Sequence, residues 1–140
     1  MPHINYLAVL VSAVVIFMLG GLWYSPVMFA KRWIALQGRT VEEMQASGGA
    51  SAAMYIQVFL CGLITAWIMA IVLGFLPRLD LVRGLKLAGI CWLGFAAATS
   101  YGTALFSMKP RALWLIDTAY NLVAFLAAAT ILTLWRPIIP

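Results

Sequence analysis

The chain has 140 residues, 65% of them hydrophobic and 9% charged, with a net charge of +5 and a mean hydropathy of +1.02. Water-soluble domains carry about 25% charged residues, so this composition excludes a soluble globular surface. It also speaks against a nucleic-acid partner, because the basic residues punctuate apolar runs and form no continuous basic face.

No Asp, Glu, Lys or Arg occurs in residues 4–30, 44–77 or 87–108, and 112–135 holds only Asp117. A helix crossing a hydrocarbon core of about 30 Å needs roughly 20 apolar residues. The pattern predicts an all-α fold, an integral membrane bundle of four transmembrane helices over about 5–24, 53–76, 87–108 and 112–135. Nothing between them is long enough to fold alone, so residues 1–140 read as one domain. The first segment lacks a charged n-region and outlasts a signal-peptide core, and therefore reads as a retained span.

After the first span, Ser25-Pro26 has the form of a helix N-cap followed by proline at the first helical position. The run VMFAKRWIALQ up to Gly38 then predicts an interfacial helix of about three turns, with Trp33 as its anchor. Thr40 and Glu43 have the spacing of a capping box, and SGGASAA loosens the chain before the second span. PRLDLVRGLK forms a short basic second loop, and KPR makes the third and fourth spans an antiparallel hairpin. Cys61 and Cys91 read as small apolar space-fillers. With one His and no Cys-x-x-Cys spacing, neither a metal site nor a cofactor is expected.

Both termini and loop two share one side, carrying Arg78, Arg83, Lys86 and Arg136; loops one and three carry Lys31, Arg32, Arg39, Lys109 and Arg111. Four cations against five give no orientation by the positive-inside rule. These flanks suit anionic lipid headgroups, so membrane lipids are expected partners.

Asp117 is the one acid inside a span, and an ionised carboxylate there is costly unless it faces the bundle or water and finds a partner. Counting outward from Pro110, Asp117 stands level with Thr103, Tyr120 with Ser100, and Asn121 with Thr99. Ala96, Ser100, Thr103 and Ser107 share one helical face, and Asp117, Asn121, Ala124 and Ala128 another. This predicts close packing of the hairpin with interhelical hydrogen bonds. Trp23, Tyr24, Ser25, Tyr55 and Gln57 lie at the same end and are expected neighbours of Asp117. The opposite halves of the spans are almost wholly apolar, so any vestibule opens toward loops one and three. Trp23, Tyr24, Trp33, Trp114 and Trp135 fall near span ends, as in an aromatic belt. Gly20, Gly21, Gly89 and Gly94 read as helix-contact positions.

The stretch INYLAVLVSAVVIFMLGGLWYSPVMFAKRW resembles the opening of a bacterial membrane family catalogued as domain of unknown function 1761. The likeness rests on Asn5, Tyr6, Leu7, Gly20, Trp23, Tyr24, Ser25, Pro26, Phe29, Lys31 and Trp33. GLKLAGICWLGF and LWLIDTAYNLV are similar to the family in kind. The resemblance implies a multi-pass protein of a bacterial inner membrane and brings no assigned activity.

Two readings follow. One is a binding, accessory or structural membrane protein, self-associating into a homo-oligomer. In it, Asp117, Asn121, Tyr120, Thr103, Ser100, Trp23, Tyr24 and Ser25 form a one-sided polar pocket for a small-molecule ligand. The other is a small proton- or cation-coupled transporter or channel using Asp117. With no metal-ligand set and no nucleophile–base pair, no catalytic residue is assigned and an enzyme is not expected.

Overall fold

A computed structural model describes residues 1–136; the last four residues of the expected domain lie outside that range. Among the described residues the structure is entirely helical. The elements in order are α1 (Tyr6–Trp23), α2 (Ala30–Leu36), α3 (Val41–Ala46), α4 (Ala52–Gly74), α5 (Leu81–Cys91), a π-helical segment (Trp92–Ala97), α6 (Ala98–Phe106) and α7 (Arg111–Leu134). The π segment joins α5 to α6 in one rod, so four helices are long and apolar enough to cross a membrane: Tyr6–Trp23, Ala52–Gly74, Leu81–Phe106 and Arg111–Leu134.

Side chains that start helices explain most of these boundaries. Asn5 accepts the Ala8 N–H, Ser51 that of Met54, and Asp80 that of Arg83, each satisfying a donor that the first turn leaves unpaired. Thr40 and Glu43 form the expected capping box on α3. The Asp80 cap moves the third span's start forward from residue 87 to Leu81. Arg83 and Lys86 thus lie on its first turns and not in a loop, and long basic side chains at a span end can reach the interface from there. The segment after α1 also departs from expectation. Ser25 does not cap a helix; its hydroxyl donates to Leu22 O at 2.7 Å and its carbonyl accepts from Met28 and Ala30, making a tight turn. Helix α2 starts only at Ala30 and has seven residues, ending as predicted before Gly38 at φ +72°.

Spans α1, α4 and α7 pack together on small side chains. Ala8, Ala13, Ala66, Ala128 and Ala129 have no exposed surface, which brings the helices close enough for dispersion contacts without a hydrophobic drive from water. The third span packs mainly on α7: α5 lies closely against it, whereas α6 touches it more loosely. Interhelical hydrogen bonds do cross the hairpin, from Trp114 to Ser100 and from Trp92 to Thr118. Leu7, Leu10, Val14 and Met18 recur along an exposed face of α1, which is what a lipid-facing helix presents.

Of the expected contact glycines only Gly20 has a close neighbour; a Cβ at Gly21, Gly89 or Gly94 would meet nothing within 4 Å. The real close approaches include Gly62 against Ile16 and Gly84 against Thr133. Cys61 is exposed and Cys91 partly buried, and both are free thiols, so Cys61 fills no core space.

Candidate functional site

The site is one turn of α7, Ile116–Tyr120, onto which the end of α1 and the whole α2 segment fold. Tyr24 Oη donates to Asp117 Oδ1 at 2.6 Å, and Trp33 Nε1 donates to the same oxygen at 3.0 Å. Trp23 Nε1 donates to Ile116 O at 3.0 Å, and Tyr120 Oη reaches back to Ile16 O at 2.9 Å. The rings pack as they converge: Trp23 on Phe29 with centroids 4.9 Å apart, Tyr24 on Trp33 at 5.3 Å and on Tyr120 at 5.6 Å. Gly20 lets this happen, because a Cβ there would stand 2.8 Å from Tyr120 Oη.

The local sequence builds this geometry. Ser25 closes the turn, and Pro26 sits where no backbone donor is needed. Phe29 N–H donates to Trp23 O at 3.2 Å, which folds the segment back beneath the indole. Helix α2 then delivers Trp33 to Asp117. Tyr24 follows the last residue of helix α1, and its hydroxyl is the donor to Asp117.

Two adjoining clefts reach Asp117 from the other side. One, of about 290 Å³, lies between α6 and α7 and is lined by Ser100, Thr103, Ser107, Lys109, Trp114 and Asn121 besides Asp117. The other, of about 380 Å³, runs under α2 past Trp33, Gln37 and Arg39, and shares Lys109, Leu113 and Asp117 with the first. No cation stands within 4 Å of the Asp117 carboxylate among the described residues, where the one ion pair is Arg83 with Asp80 at 3.4 Å. Asn121 makes no side-chain hydrogen bond among them, and no group of three potential metal ligands occurs.

The expected residues are thus only partly brought together. Asp117, Asn121, Thr103 and Ser100 line one cleft, with Tyr24 on the opposite flank of the carboxylate. Tyr120 turns away from Ser100 to α1, and Ser25 serves the turn without touching the site. Tyr55 packs edge-on against Phe17, and neither it nor Gln57 lines the clefts. Level counting from Pro110 does bring Asp117 and Thr103 to one cleft, but the bonds across the hairpin are made by long indoles and not by short hydroxyls: Ser100 accepts from Trp114 Nε1 at 2.9 Å and Thr118 O from Trp92 Nε1 at 2.9 Å. Ser100 and Thr103 donate to their own helix, to Ala96 O and Thr99 O. Of the aromatic residues near span ends, Trp23, Tyr24, Trp33 and Trp114 direct their polar atoms to partners within the protein, and Trp135 is exposed. Trp33 is the residue that spacing assigned elsewhere, although the family likeness had already grouped it with Tyr24.

Four apolar helices and a polar junction at one end define a small multi-pass membrane protein. The family described as "Protein of unknown function (DUF1761)" matches residues 7–133, and the chain belongs to it. No curated protein and no solved structure matches the chain.

Proposed function

We propose that this protein binds a small molecule bearing a cationic group at the open side of Asp117, in the cleft between α6 and α7. One observation carries the reading: the carboxylate is held through a single oxygen by Tyr24 and Trp33, faces two clefts, and has no cation within ion-pair reach among the described residues. Such a group is oriented but uncompensated, and a bound cation repays the burial of its charge. Ser100, Thr103 and Asn121 supply polar contacts along the same wall. The role is binding or accessory, without chemistry. The protein works in the cell membrane of a bacterium, among lipids and as a homo-oligomer; the open space beside Gly89, Gly94 and Gly102 on the third span favours association there.

Native mass spectrometry of protein released gently from membranes, beside Asp117→Asn, tests the proposal. A small basic molecule on the first and absent from the second is expected. Only lipids on both, with no difference, would leave Asp117 as a packing residue.

The second reading is a proton- or cation-coupled transporter or channel. Asn121 favours it: at about 1.5 Å per residue it stands about 15 Å along α7 from Arg111, near mid-bilayer, on the wall of the same cleft. Cation uptake into proteoliposomes driven by a pH gradient, abolished by Asp117→Asn, would select transport over binding.

A further inference from the structure

At the end of the bundle away from Asp117, the residues before α1, the turn after α4 and the end of α7 enclose a depression of about 570 Å³. It is larger than either cleft beside Asp117. The sequence pattern had placed polarity at the other end only, because this site is made of chain ends and a turn and not of span interiors. Its floor is apolar, with Leu73 and Leu132 buried beneath Ala70 and Leu76. His3, Arg78 and Arg136 stand in its wall, and among the described residues no carboxylate lines it.

Asp80, two residues after Arg78, is taken by Arg83, whose backbone N–H it accepts at 2.9 Å and whose Nε lies 3.4 Å from Oδ2. Neither Arg78 nor Arg136 has an ion pair among the described residues. Arg136 Nε donates to Thr133 O at 3.2 Å, a bond that leaves its terminal amino groups unused. Arg83 Nη1 donates to Arg78 O at 3.1 Å and steadies the turn that carries Arg78. Asn5 ties the wall together, accepting from Ala8 N at 3.2 Å and donating to Trp135 O at 3.1 Å. Two guanidinium groups lining one apolar-floored depression, neither ion-paired among the described residues, favour an anion there, and their planar forks suit phosphate oxygens.

We infer that this depression is a phosphate-binding site, with Arg78 and Arg136 as the anion's partners and the leucine floor receiving an apolar portion of the same molecule. The chemistry is common to a phospholipid headgroup and to a free phosphate ester. The site is independent of Asp117.

Native mass spectrometry of the full chain in mild detergent, with phosphatidylglycerol, diacylglycerol of the same chains, or glycerol 3-phosphate added, tests the inference. Phosphatidylglycerol is expected to be retained at least about tenfold better than diacylglycerol. Arg78→Gln and Arg136→Gln should each reduce that retention roughly tenfold, the scale of a lost charged hydrogen bond. Lys86→Gln removes a charge from the same end outside the depression and should change retention less than about twofold. Binding of glycerol 3-phosphate alone, with the same arginine dependence, would support the site and make a free ester its source. Equal retention of the two lipids, or a loss with Lys86→Gln as large as with Arg78→Gln, would overturn it. Thermal melts of each variant, expected to match the parent because these side chains are exposed, separate lost binding from lost folding.

Discussion

Trp33 and Asp117 are 84 residues apart in the chain, yet the indole Nε1 of one lies 3.0 Å from Oδ1 of the other, on the oxygen that Tyr24 reaches at 2.6 Å. One carboxylate oxygen therefore fastens the end of α1 and the helix after it to the fourth span. Several of the residues that carry the family likeness are parts of this fastening, whereas Asn5 serves the opposite end of the bundle. Gly20 makes room for Tyr120, Trp23 and Tyr24 donate to neighbouring residues of α7, Ser25 closes the turn, Phe29 underlies Trp23, and Trp33 completes the junction.

Asparagine and leucine at position 117 should separate hydrogen bonding from charge. Asp117→Asn keeps an acceptor for both donors and should lower stability by about 1 kcal/mol, the difference between a charged and a neutral hydrogen bond. Asp117→Leu strands two part-buried donors and should cost roughly 2–4 kcal/mol. Thermal unfolding in detergent, followed by tryptophan fluorescence, measures both. Equal losses for the two variants would show that Oδ1 is not the fastening point.

Tyr24→Phe and Trp33→Phe each remove one donor from the same oxygen. Each should destabilise by about 1–2 kcal/mol, and the pair should be non-additive because the remaining bond reorganises when its competitor is lost. A double-mutant cycle on the same melts reads the coupling; strict additivity would mean that the two bonds are independent.

Glycines 20 and 21 are adjacent, yet alanine should act oppositely on them. At Gly20 the new Cβ would meet Tyr120 Oη at 2.8 Å and force that side chain from Ile16 O, an overpacking cost of about 1–3 kcal/mol. At Gly21 nothing lies within 4 Å, and alanine should be neutral or gain up to about 1 kcal/mol from helix propensity. Melting temperatures of the two variants settle the sign at each position.

Thr133 is 5% exposed and its Oγ1 has no hydrogen-bond partner among the described residues. Thr133→Val has nearly the same shape without the stranded hydroxyl and should raise stability by about 1 kcal/mol. Gly84→Ala should do the reverse, since a Cβ there would stand 2.5 Å from that hydroxyl. A lower melting temperature for Thr133→Val would mean that the hydroxyl has a partner in solution.

The four spans were legible because a bilayer imposes a one-dimensional rule, long runs without charge, which composition alone reveals. Caps were legible for the same reason of locality: Thr40 with Glu43 and the Gly38 stop act within a few residues of themselves. Asp117 could be singled out because an acid in a span is costly whatever surrounds it. Its partners could not be. Periodicity places Trp33 on a helix side but does not say that the turn at Ser25 swings that side inward, and tryptophan at a span end is equally suited to lipid headgroups and to a buried acceptor. Level counting could not name the bonds between the third and fourth spans, because indoles, which reach well beyond their own level, make them. Glycine contacts likewise depend on which face another helix covers, so Gly20 and Gly21 differ only in three dimensions. Sequence alone determined that the chain crosses a membrane four times with one acid near an edge, because hydration energy is local. Only the tertiary structure decided which donors hold that acid and that two arginines share a hollow at the other end, because those depend on how separate segments meet.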